Sequence, residues 1–168
     1  ALYLQGNNNA TFTGTVTAPN LNLTSLTQNT TSSLFLVKDE VLGAELVTNG
    51  DFDTATGWTL QNSGSTISGG KLNQASVPSG QNVSQSTGIV VGDTYKAFIT
   101  ISSYSSGGVR ILLGSTGTTA IRSANGTFVV EGIAAGNTTL YIQAIGTTTL
   151  SVDNISVKQI ISSSDSVQ

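Results

Sequence analysis

The chain has 168 residues, a formal net charge of −3, and no cysteine, histidine or methionine. Its six basic residues are scattered singly, which argues against a nucleic-acid partner, and no apolar stretch is long enough for insertion into a membrane. Without histidine or cysteine the common general bases and thiol nucleophiles are missing, and the acidic residues form no pair suited to acid–base work. We therefore predict no catalytic residues and no enzyme activity.

Residues 1–44 alternate apolar and polar residues in very short bursts, such as ATFTGTVTAP and NLNLTSL. Bursts of this length cannot enclose a core, and isolated hairpins are marginal in water. We therefore expect an extended, β-rich segment that packs its apolar residues against other chains or against the following domain. A flexible Asn/Thr-rich linker is the alternative.

Stronger strand patterns begin near Glu45. The run TYKAFITIS places Tyr95, Ala97, Ile99 and Ile101 on one side of a strand, and further period-2 runs follow between the turn-like sequences SSGG, SANG and AAGN. Such runs, rich in β-branched and aromatic residues, indicate an all-β sandwich. We predict that it spans residues 45–160, with residues 161–168 as a polar tail.

Four motifs in this region resemble one known family. They are LVTNGDFDTATGW, GGKLN, GDTYKAFITIS and TLSVDNISVKQI, in that order along the chain. Together they resemble the jelly-roll carbohydrate-binding modules appended to xylanases and related glycan-degrading enzymes. The resemblance implies a jelly-roll β-sandwich that binds carbohydrate.

The same resemblance implies a structural calcium ion between the two ends of the domain. The matching positions are Asp53, after the phenylalanine of the first motif, and Asp153 in the closing strand, with Asp51 able to add an oxygen. Calcium requires several hard oxygen ligands, so the first and last strands would have to meet. The alternative is that these aspartates only cap turns and backbone amides.

The aromatic residues divide into two groups. Trp58 and Tyr95 fall on apolar positions, and we expect both in the core. Phe98 falls on the polar side of its strand, as do Arg110 and Gln143 on theirs, and together with Tyr104 they could form a carbohydrate-binding outer face. The alternative is that the N-terminal segment or a neighbouring subunit covers Phe98.

The N-terminal run ATFTGTVTAPNLNLTSL resembles the Thr/Gly/Val-rich stretches of bacteriophage head and tail fibres, in which three chains intertwine. Joined to the sandwich, it suggests a homotrimeric component of the virion surface that contacts other virion proteins and a cell-surface glycan. A binding module of a secreted polysaccharide-degrading enzyme is one alternative. A structural decoration protein that binds only its neighbours is another.

Overall fold

The computed structural model describes residues 40–161, and these form an all-β domain, as the sequence predicts. Within this range there is no helix, and so none with the length and apolarity to cross a membrane. The described strands are β1 (Val41–Glu45), β2 (Thr59–Leu60), β3 (Ser65–Ile67), β4 (Leu72–Val77), β5 (Asn82–Ser86), β6 (Thr94–Leu113), β7 (Gly117–Thr118), β8 (Gly126–Ile133) and β9 (Thr139–Ile161).

Strands β6 and β9 are the long central pair of the domain. They run antiparallel from the pair Tyr95 and Gln159 to the pair Leu113 and Leu140. The prediction that SSGG is a turn between strands is therefore wrong, because this sequence forms an irregular step inside β6. Gly107 has a φ of 70°, and a Cβ there would come within 2.7 Å of the carbonyl oxygen of Thr147. The strand bends at this point while its pairing with β9 continues on both sides.

The bend divides the sheet into two halves that share one core. In one half, β8 pairs with the start of β6 and β1 pairs with the end of β9. In the same half, β4 pairs with the middle of β9, and β3 pairs with the other side of β4. In the other half, β7 flanks the end of β6, while β5 and then β2 flank the start of β9. Residues facing inward from both halves of β6 belong to a single cluster, which includes Tyr95, Ile99, Ile101, Val109, Ile111 and Leu113. The two halves therefore enclose the core of a β-sandwich.

Strand β1 carries the start of the domain onto its last strand. Glu45 accepts hydrogen bonds from the backbone N–H of Val157, at 2.8 Å, and from the hydroxyl of Ser156. The domain boundary predicted at residue 44 falls inside β1. Residues 1–39 of the predicted N-terminal segment lie outside the described range, so the predictions for this segment stay predictions. Residues 162–168 of the predicted tail also lie outside this range.

Candidate functional site

The Asn-Gly turn of the first motif meets the closing strand. The backbone N–H of Ile155 donates to the carbonyl oxygen of Gly50 at 2.9 Å. The side-chain amide of Asn49 donates to the carbonyl oxygens of Thr54, at 2.6 Å, and Thr56, at 3.2 Å, and so fixes the loop that follows. The backbone of the motif thus contacts the closing strand, whereas the link predicted through Asp53 and Asp153 stays a prediction.

The aromatic residues of the motif are structural. Phe52 is fully buried and Trp58 is 7% exposed, and their ring centroids lie 5.0 Å apart. The indole N–H of Trp58 donates to the carbonyl oxygen of Asn49 at 2.9 Å, so its one polar atom is also engaged. Tyr95 is 1% exposed, and its hydroxyl accepts from the N–H of Val90. The core positions predicted for Trp58 and Tyr95 are confirmed.

The three aspartates predicted to hold calcium have different surroundings. Asp51 Oδ1 accepts from the N–H of Asp53 at 3.4 Å, and Asp153 Oδ1 accepts from the N–H of Asn154 at 2.7 Å. No three acidic side chains among residues 40–161 are arranged to hold a metal ion.

Two oxygens nevertheless converge beside Gly70. Asp53 Oδ1 and the carbonyl oxygen of Asp51 lie 3.6 and 3.8 Å from the position that a Cβ of Gly70 would take. Calcium requires about six to eight oxygen ligands, so these two oxygens alone do not make a site. Calcium at this turn stays a prediction.

Phe98 lies in the half of the sheet that contains β8. It is half-buried, and its cross-strand neighbours are Val129 on β8 and Ser156 on β9. Two positions before it, Lys96 makes ion pairs with Glu40 at 2.6 Å and Glu131 at 3.0 Å. These hydrogen bonds, the one with Glu40 foremost, raise the pKa of Lys96 above its ordinary value. Lys96, the charged residue of β6 nearest to Phe98, is therefore already paired with carboxylates.

Tyr104 lies at the bend of β6. Its backbone N–H donates to Asn125 Oδ1 at 2.9 Å, and its hydroxyl donates to the carbonyl oxygen of Gly107 at 3.2 Å. The ring packs against the core. The ring of Tyr104 therefore contributes to the core, and its hydroxyl stabilises the bend.

Arg110 and Gln143 come together on the outer side of the other half. They are direct cross-strand neighbours, and Arg110 Nε donates to Gln143 Oε1 at 2.9 Å. Asn82 on β5 pairs with Gln143 on its other side, and the N–H of Gln61 donates to the carbonyl oxygen of Asn82 at 3.2 Å. We call these four residues, Gln61, Asn82, Gln143 and Arg110, the polar row.

A second row lies beside the polar row, two residues along each strand. Tyr141 is its centre, with Ser84 opposite on β5 and Leu112 opposite on β6, and Thr59 pairs with Ser84. The hydroxyl of Tyr141 accepts from Asn137 Nδ2 at 2.9 Å. We call Thr59, Ser84, Tyr141 and Leu112 the tyrosine row.

Strand alternation places both rows outside the core. The residues between them along the strands are Val83, Ile142 and Ile111, which are at most 1% exposed and face inward. Because successive side chains point to opposite faces, the two rows share the outer face of this half. We call this surface the outer face. Four neighbouring strands at about 4.8 Å give it a width of roughly 14 Å, which exceeds a single sugar ring.

The sequence prediction thus named two residues of the outer face and missed the others. Tyr141 stands two positions before Gln143 in the run TLYIQAIG, so its shared side of the strand was a usable signal. Gln61, Asn82 and Ser84 carried no such signal. Their place depends on β5 pairing with β9, more than fifty residues away in the chain.

No protein-family profile and no curated protein matches the chain. Among solved structures, the N-terminal cellulose-binding domain of Cellulomonas fimi β-1,4-glucanase C is 20% identical, with a TM-score of 0.45 over 66% of this chain and 93% of that one. A point mutant of the family 29 carbohydrate-binding module CBM29-2 is 15% identical, with a TM-score of 0.42 over 61% and 81%. The CBM22-1–GH10 modules of Clostridium thermocellum xylanase 10B, complexed with xylohexaose, are 14% identical, with a TM-score of 0.45 over 76% and 30%.

Proposed function

We propose that the domain of residues 40–161 is a non-catalytic module that binds a glycan on its outer face. The observation that carries the proposal is the polar row, in which planar hydrogen-bonding side chains from adjacent strands lie side by side. Amide and guanidinium groups present donors and acceptors in fixed directions, which is what the hydroxyl groups of a sugar require.

The polar row has hydrogen-bonding capacity to spare. The bond with Gln143 uses only Nε of Arg110, so with respect to residues 40–161 the two terminal nitrogens remain as donors. Asn82 Oδ1 has no hydrogen-bond partner among the described residues, but it is buried, so a ligand hydroxyl reaches it only when the surrounding side chains move.

The tyrosine row supplies the apolar part of such a site. Tyr141 is half-buried and is the accessible apolar side chain of this row, because Leu112 is 4% exposed and Ser84 is 6% exposed. An aromatic side chain beside a row of polar groups offers contact to the carbon face of a sugar, while the polar groups fix its orientation. The outer face therefore contains both kinds of contact.

The test is a titration of uniformly ¹⁵N-labelled protein with a panel of soluble neutral and acidic oligosaccharides. We expect a binding member to shift the side-chain amide signals of Gln61, Asn82 and Gln143 first. Tyr141→Ala and Gln143→Ala should each weaken binding by about five- to thirtyfold, since each removes contacts of about 1–2 kcal/mol. Phe98→Ala is the matched control, because it truncates an outward aromatic on the other half of the sheet.

Two results would contradict the proposal. If no signal shifts with any sugar of the panel, the proposal that the domain binds a glycan is wrong. Loss of binding in Phe98→Ala but not in Tyr141→Ala would place the site around Phe98, as the sequence alone suggested. Melting curves of each variant separate loss of binding from loss of folding.

The wider role that we propose is display of this module on a virion surface, by a homotrimeric fibre formed through the part of the predicted segment 1–44 that precedes β1. It is supported by the short apolar bursts of that segment. The second candidate is a module of a secreted polysaccharide-degrading enzyme, for which the outer face is equally suitable. Light scattering of the intact chain separates the two, because a monomer at micromolar concentration would exclude the trimeric fibre.

A further inference from the structure

Arg110 is a cation without a counter-charge in the described part of the chain. The two ion pairs found among residues 40–161 both involve Lys96, and neither reaches Arg110. The hydrogen-bond partner of Arg110 is the neutral amide of Gln143. Lys96 and Arg110 lie on the same strand and both face outward, but only the charge of Lys96 is neutralised.

The acidic side chains of the described residues are placed elsewhere. None belongs to the polar row or the tyrosine row. Six of them accept hydrogen bonds: Glu40 and Glu131 from Lys96, Glu45 from Val157, Asp93 from Gln159, Asp153 from the N–H of Asn154, and Asp51 from the N–H of Asp53. The seventh, Asp53, lies with Asp51 in the Asn-Gly turn. Arg110 is thus the one formal charge in the two rows, and it is positive.

We infer that the glycan bound by the outer face carries a carboxylate, as a uronic acid does, and that Arg110 binds this group. The inference rests on the proposed function and specifies its ligand class. A guanidinium group presents parallel N–H donors that match a carboxylate in a bidentate arrangement, and charge-assisted bonds of this kind are about twice as strong as neutral ones.

The surroundings of Arg110 favour this use. The bond to Gln143 holds Nε, so the guanidinium plane is partly fixed before a ligand arrives, and less side-chain entropy is lost on binding. A neutral sugar would leave the charge of Arg110 without a partner.

The test compares two probes of equal length, hexagalacturonate and xylohexaose, by isothermal titration calorimetry on the intact chain. We expect hexagalacturonate to bind at least about tenfold more tightly in about 20 mM salt, and the difference to shrink in about 500 mM salt. Arg110→Gln should abolish the preference, because it should weaken the binding of hexagalacturonate far more than that of xylohexaose. Lys158→Gln removes the same charge from the other half of the sheet and should leave the preference intact.

The outcomes separate the ligand class from the proposed function itself. If xylohexaose binds as tightly as hexagalacturonate and shifts the amide signals of the polar row, the carboxylate inference is wrong and the proposed function stands. If Lys158→Gln weakens hexagalacturonate binding as much as Arg110→Gln does, the attraction is general and the assignment to Arg110 is wrong. If neither probe nor any sugar of the wider panel binds, both proposals fail.

Discussion

Gly50 and Ile155 lie in contact, more than one hundred residues apart in the chain. The N–H of Ile155 donates to the carbonyl oxygen of Gly50 at 2.9 Å, and a Cβ on Gly50 would overlap the carbonyl oxygen of Ile155. Only glycine lets the two backbones approach this closely. The contact joins the first turn of the domain to its last strand, and Phe52 anchors the same turn in the core.

We predict that Gly50→Ala destabilises the domain by about 1–3 kcal/mol or more, because the added methyl group forces the turn away from β9. Chemical denaturation of the intact chain measures the change. Gly88→Ala is the matched control, because a Cβ there meets only Leu46 at 3.6 Å, an ordinary contact. Equal stability of the two variants would show that the turn moves without cost.

A second prediction concerns a polar residue in the core. Gln74 is 3% exposed, and neither atom of its amide has a hydrogen-bond partner among the described residues; the hydroxyl of Ser65, its cross-strand neighbour, also has none. Gln74→Leu should raise the free energy of unfolding by about 1–3 kcal/mol, because it removes an unpaired buried amide. Destabilisation would instead show that a bound water satisfies both side chains.

Calcium provides a third prediction. If the ion binds only the folded chain, it adds about 2.7 kcal/mol at a free concentration of about one hundred times Kd, so a chelator should lower the melting temperature by at least about 5 °C. Asp53→Asn and Asp153→Asn should each abolish the chelator effect, and Asp93→Asn, whose carboxylate bonds Gln159 instead, should retain it. If neither a chelator nor added calcium changes the melting temperature of the wild-type chain, the calcium prediction is wrong and the aspartates only cap the turn and backbone amides.

The fourth prediction concerns the start of the domain. A chain of residues 40–161 should unfold cooperatively, because it contains every described strand. A chain of residues 46–161 lacks β1 and the Glu45 carboxylate that binds the end of β9, so it should melt at a lower temperature. Calorimetry compares the two, and equal melting temperatures would show that β1 contributes nothing to the fold.

The local pattern of residues was enough to predict several strand segments and their inner sides, although it wrongly divided β6 at SSGG. Tyr95, Ala97, Ile99 and Ile101 alternate with polar residues, and all four are at most 2% exposed in the structure. Alternation predicts the inner side because successive side chains of a strand point to opposite faces of the sheet, and one of these faces is buried in the core. The same rule gave the outward direction of Arg110 and Gln143.

The tertiary structure alone decided which outward residues become neighbours. Phe98 and Arg110 share one side of β6, yet the bend at residues 105–108 separates their surroundings, and SSGG resembles a turn in the sequence. Asn82 reaches Gln143 only because β5 pairs with β9, and no local pattern encodes the pairing of strands distant in the chain. Side-chain alternation is a property of each strand by itself, whereas a binding face is made by the packing of several.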